Sequence, residues 1–166
     1  MSALAIWRRR VERVYEWISV ALMVALALEV LLGIVFRMAH RPLAWYDEVA
    51  SVLLVWLTYY ASALAALKRA HIGFPGLVKA LPARGRVAAL VLREIAVIGF
   101  FAILAWQGVR VLRLLAGETL VTVEIPVQLT QSVIPIGAVL FIIAELLALP
   151  AQFRAGEPAA ATELTH

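Results

Sequence analysis

The sequence predicts an all-α integral membrane protein. It reads as four transmembrane helices with short interfacial amphipathic helices, and both termini on the cytoplasmic side. Three observations carry that expectation. Apolar runs cover residues 18–36, 49–67, 87–115 and 133–149, each close to or above the roughly 20 residues a helix needs to cross a hydrocarbon core about 30 Å thick. Hydrophobic residues make up 64% of the chain and the mean hydropathy is +0.93, well above an ordinary soluble domain. Positive charge is also lopsided. Arg8, Arg9, Arg10 and Arg13 precede the first run, and Lys68, Arg69, Lys79, Arg84 and Arg86 separate the second from the third. The first loop has only Arg37 and Arg41, and residues 116–130 have neither Lys nor Arg. Lys and Arg beside a span stay in the cytoplasm, which places both ends of the chain there.

Residues 1–150 thus form one transmembrane domain, and residues 151–166, dominated by Ala, Glu, Pro and Thr, read as a disordered cytoplasmic tail. The longest loop, residues 68–86, is too short to fold independently. A net charge of +4 is explained by topology, so it does not point to nucleic acid. The chain has no cysteine, which excludes disulfides, thiolate metal sites and cysteine nucleophiles together. The first run is longer than the apolar core of a signal peptide and lacks a clear small-x-small cleavage site. A bacterial inner membrane suits this combination.

The elements follow in order. Leu4, Trp7, Val11, Val14 and Tyr15 recur at helical spacing with charged residues on the other faces, which predicts an amphipathic interfacial helix before the first span. Arg37 and His40-Arg41-Pro42 end that span, since Pro42 cannot continue a helix. Trp45-Tyr46 are interfacial aromatics, and Asp47 and Glu48 complement the positive end of the second helix. Within it, Ser51, Thr58, Ser62, Ala65 and Ala66 lie near one stripe, where small residues permit close helix contact in lipid. Residues 75–82, bounded by Pro75 and Pro82, predict one or two interfacial turns. The third span is the most polar, with Arg93, Glu94, Gln107, Arg110 and Arg113. The fourth opens near Gln131 and holds Pro135 and Gly137.

A charge in the bilayer needs a partner, water or a proton, because insertion scales put it near +2.5 to +3.5 kcal/mol at the helix centre. Depth counting suggests two interhelical pairs. Glu29 lies seven residues below Phe36 and Arg110 five below Leu115, or about 10 and 8 Å at roughly 1.5 Å per residue. The same count at the inner end brings Arg93 near Glu145. The alternative for Glu29 is a proton-binding carboxylate, as a self-contained small exporter would use.

Catalysis finds no support. His40 and His71 lie at span ends on opposite predicted sides, unsuited to axial haem ligation. Neither a phosphate loop nor a Ser/His/Asp grouping is present, and Asp47 and Glu48 are adjacent, so their side chains diverge on a helix. The expectation is a non-enzyme without catalytic residues, cofactor or metal.

Two stretches carry a resemblance. The first opens with Trp45-Tyr46-Asp47-Glu48, runs through Val55-Trp56-Leu57 and Ala63-Leu64-Ala65, and leaves through Lys68-Arg69-Ala70-His71-Ile72. The second is Ile125-Pro126 followed by Ser132-Val133-Ile134-Pro135-Ile136-Gly137. In order and spacing they resemble the small, DctQ-like membrane subunit of the tripartite ATP-independent periplasmic (TRAP) transporters, over about 100 of 166 residues. Ala61 and Ala70 stand where that family usually has glycine. The resemblance implies a scaffold subunit of a sodium-coupled importer of carboxylate-containing solutes. Its partners would be a large membrane subunit, which carries the moving elements, and a periplasmic solute-binding protein. Glu29, Arg37, Trp45, Asp47, Glu48, Trp56, His71, Arg93, Arg110, Pro135, Gly137 and Glu145 are the candidates for subunit contact or internal cohesion. The remaining alternatives are the exporter centred on Glu29 and a membrane anchor for another complex.

Overall fold

A computed structural model describes residues 3–68 and 82–156. Among them run α1 (Ala3–Met38), α2 (Tyr46–Lys68), α3 (Ala83–Leu114), the short α4 (Val127–Gln131) and α5 (Val133–Gly156). Four stretches are long and apolar enough to cross a membrane: Ile6–Met38, Tyr46–Lys68, Gly85–Leu114 and Val127–Leu149.

The amphipathic segment that the sequence sets apart is not a separate helix. It forms the opening turns of α1, which runs unbroken for 36 residues. The reason is local: no proline occurs in this stretch and its first glycine is Gly33, so nothing interrupts the hydrogen-bond ladder before the span begins. At about 1.5 Å per residue α1 reaches roughly 54 Å, well beyond one hydrocarbon thickness. It ends where His40 takes a left-handed backbone, φ 58°. The Arg41 N–H then donates back to the Phe36 carbonyl at 3.0 Å, a closure usually built around glycine. Helix α5 extends to Gly156, past the Leu149 at which the apolar run stops. Residues 157–166, the second-loop turns over residues 75–81 and His71 lie outside the described residues.

A single proline separates α4 from α5. Pro135 has no N–H to give the Gln131 carbonyl, and its ring crowds that carbonyl. The helix breaks at Ser132, whose N–H turns to Leu129 at 3.3 Å, and then resumes.

The helices form a row rather than a square bundle: α1 packs on α2, α2 on α5, and α5 on α3. Nearly half of the fourth span is buried (44%), against 11%, 11% and 6% for the first three, so the other helices leave most of their surface uncovered by this chain. Leu92, Phe100, Ile103 and Trp106 on α3 are all more than 60% exposed. Contacts between helices rely on small side chains. Ala63 and Ala66 of α2 and Ala138, Ala144 and Ala148 of α5 are buried, which lets the backbones approach without a hydrophobic driving force from water. Phe101 of α3 stacks on Phe141 of α5, centroids 3.9 Å apart and rings 12° from parallel. Tyr15 of α1 reaches the same cluster and donates its hydroxyl to the Leu140 carbonyl at 3.2 Å.

Candidate functional site

At the Lys/Arg-rich end, a charged cluster joins α3 to α5. Arg93 Nη2 donates to Glu145 Oε1 at 3.2 Å and to Glu94 Oε1. Both glutamates are buried, each 6% exposed, whereas the Arg93 side chain is about half-exposed. The structure therefore brings together Arg93 and Glu145, two of the residues singled out in the sequence, and adds Glu94. Glu94 Oε2 is buried without a hydrogen-bond partner. Glu94 lies 20 residues before Leu114, about 30 Å along the helix, so the cluster sits near one boundary of a hydrocarbon core if Leu114 marks the other. A guanidinium serves two carboxylates better than an ammonium would, because its planar fork presents several fixed donors.

A second set of polar contacts at this end ties α1 to α2. Lys68 reaches Glu16, with Glu12 at 3.9 Å, and Arg8 donates to the Leu67 carbonyl at 3.0 Å. Sequence reading counted Arg8 as a topology signal, and Lys68 as a topology signal and part of the motif that closes the second span. Their charge pattern gave no hint of which helix they would meet.

At the opposite end, Glu48 does more than complement a helix terminus. One of its oxygens accepts from the Val121 N–H at 3.0 Å, and the other accepts from the Thr122 N–H at 2.9 Å and from the Thr122 hydroxyl. These bonds hold a small hairpin in which Val127 N–H donates to Glu118 and Leu120 N–H to Ile125. Trp56 supports the same connection from below, its indole N–H donating to the Thr130 carbonyl at 2.9 Å. Gln128 anchors α4 to the end of α3 through the Leu112 carbonyl, also at 2.9 Å. Beneath the hairpin lie two open cavities. One, of about 350 Å³, has Asp47, Glu48, Ser51 and Gln131 in its wall. The other, of about 290 Å³, is apolar and is lined by Leu22, Trp56 and Ile125 among others.

The pairing of Glu29 with Arg110 is a correction. The Arg110 guanidinium donates to Gln107 on its own helix at 3.3 Å, while Glu29 Oε1 is buried without a hydrogen-bond partner. Matching depth was not sufficient, because α1 and α3 stand at the two ends of the row with α2 and α5 between them. The remaining candidates divide by environment. Trp45 provides the carbonyl that accepts the first helical bond of α2, from Val49 N–H at 3.2 Å. Asp47 is exposed. Arg37 is exposed in the last turn of α1 and forms no ion pair among the described residues. Pro135 and Gly137 are buried at two different contacts of α5. A Cβ at Gly108 of α3 would lie 3.1 Å from the Pro135 ring, and one at Gly137 would lie 2.5 Å from the Tyr59 ring of α2. Gly137 therefore leaves the space in which the Tyr59 ring of α2 lies against α5.

Residues 26–155 match the family model described as "Tripartite ATP-independent periplasmic transporters, DctQ component". That span includes α2 to α4, nearly all of α5, the hairpin and the Arg93 cluster, while Arg8, Glu12 and Glu16 fall before it. No curated protein gives a significant match.

Proposed function

The chain belongs to the DctQ component family of tripartite ATP-independent periplasmic transporters, and from that membership we propose that it is the stationary small membrane subunit of such a system. It sits in a bacterial inner membrane with both termini in the cytoplasm. There it holds a large membrane subunit that binds and moves a carboxylate-containing solute with sodium, delivered by a periplasmic binding protein. It performs no catalysis of its own.

The observation that carries the scaffold reading is the row of helices. Polar groups are used to join neighbouring helices and loops, while both broad faces present apolar side chains. The cavity beside Asp47 and Glu48 is acidic and would repel a carboxylate solute, and the other described cavities are lined almost entirely by apolar atoms. Among the described residues, a single row of helices offers no second layer to enclose a polar solute and no paired broken helices of the kind from which midplane transport sites are built.

The test is affinity purification of the tagged chain from its native membrane in mild detergent, followed by reconstitution. The reading expects a large multi-span protein to accompany it. Solute uptake should require that partner together with the binding protein. Uptake by liposomes containing this chain alone would overturn it.

A further inference from the structure

We propose that the outer face of α1 binds an anionic phospholipid, with Arg9, Arg10 and Arg13 holding its phosphate headgroup and the apolar ridge beside them following its acyl chains. The inference goes beyond the scaffold reading and needs only that α1 lies in a membrane.

The spacing along α1 defines the ridge. From Trp17 it runs through Val20, Val24, Leu28 and Leu31 to Val35 in steps of three or four residues, which keeps it on one face of the helix. The same steps taken the other way reach Arg13, and from there Arg10 and Arg9. All of these side chains are exposed, Trp17 at 73%, whereas Tyr15 and Ser19 on the opposite face are buried. Trp17 stands 18 residues before Val35, about 27 Å along the helix and close to one hydrocarbon thickness. The indole therefore falls at the boundary where tryptophan collects. Arg13 lies one turn farther out, at the depth of the headgroups, and Arg9 and Arg10 can reach back to it along their flexible stems.

Charge selects the occupant. Arg9, Arg10 and Arg13 form no ion pair among the described residues. The acids beside them, Glu12 and Glu16, turn to Lys68, and residues 69–81 contain neither Asp nor Glu. Three guanidiniums thus await an anion, and their planar forks match phosphate oxygens. A zwitterionic headgroup would bring an ammonium into the same cluster, so a net negative lipid fits better, as basic clusters next to a span commonly do. A partner helix fits less well. Helix contacts in lipid favour small residues, and none of the six ridge residues is small. The arginines and Trp17 also precede residue 26, where the match to the family begins.

The test reconstitutes the full chain in phosphatidylcholine bilayers containing a minor fraction of phosphatidylglycerol, with one lipid or the other brominated high on its acyl chains. The signal of Trp17 is the difference in quenching between wild type and Trp17→Phe. Brominated phosphatidylglycerol should quench Trp17 as if enriched about fivefold or more over the bulk bilayer. Arg9→Gln, Arg10→Gln and Arg13→Gln together should abolish that enrichment, while Arg37→Gln with Arg41→Gln, at the other end of α1, should leave it unchanged. Should the triple variant fail to insert, the wild-type comparison still decides.

Equal quenching by the two brominated lipids overturns the inference, as does an enrichment that survives the triple substitution. Enrichment that appears only after residues 157–166 are deleted would assign the arginines to Glu157 and Glu163 instead of lipid, and overturns it too. In complexes purified from the native membrane, the triple variant should carry less anionic phospholipid at unchanged recovery of the large subunit. Loss of that subunit with the lipid unchanged would make this face a protein contact and sink the proposal. The bilayer measurements use this chain alone, so they stand or fall separately from the scaffold reading.

Discussion

Glu48 illustrates how one residue can hold a connection that has little structure of its own. Its carboxylate accepts three hydrogen bonds from Val121 and Thr122, and bonds to an ionised acceptor are the stronger kind. Glu48→Gln keeps only one acceptor oxygen, so the Val121 and Thr122 amides should exchange hydrogen roughly tenfold faster, while Asp47→Asn should leave them unchanged. Mass-spectrometric exchange in detergent measures both. Glu29 and Arg110 give a contrasting expectation. Since each lies at a different end of the helix row, the double variant Glu29→Arg with Arg110→Glu should be recovered in membranes no better than the worse single variant. A rescue would show that the two residues meet.

At the scale of elements, what matters is where helices stop. Pro135 breaks the fourth span at Ser132 and, through its contact with Gly108, positions the start of α5 against α3. The left-handed closure of α1 is different, because it is strained. A non-glycine residue at φ 58° costs about 1 kcal/mol, so His40→Gly should raise stability by about that amount, read as a shift in thermal unfolding in detergent. The opening turns of α1 are held through Lys68, Glu12 and Glu16, which remain partly exposed. Exposed ion pairs contribute little to stability because solvent screens them, so these contacts orient α1 on α2 more than they stabilise the fold.

For the whole molecule, the first prediction is topological. With single cysteines introduced at Glu118 and Arg86, a membrane-impermeant maleimide applied to intact cells should label only Glu118→Cys. Labelling of both from one side would reverse the proposed layout. Much of this architecture was legible in the sequence: four spans, their approximate ends, the basic bias and the two motif stretches all follow from local composition, because lipid dictates the length and polarity of each helix separately. Depth along the membrane normal was legible too, and Arg93 and Glu145 do stand at matching heights. Lateral order was not. The rise per residue says nothing about which helices are neighbours, so Glu29 and Arg110 matched in depth yet lie across the row, and the Glu94 oxygen and the Glu48 hairpin contacts gave no sequence signal. Lateral order depends on features such as the buried Ala144 and the Gly137 that leaves room for the Tyr59 ring. That choice is made by packing between distant segments, and only the assembled tertiary structure decides it.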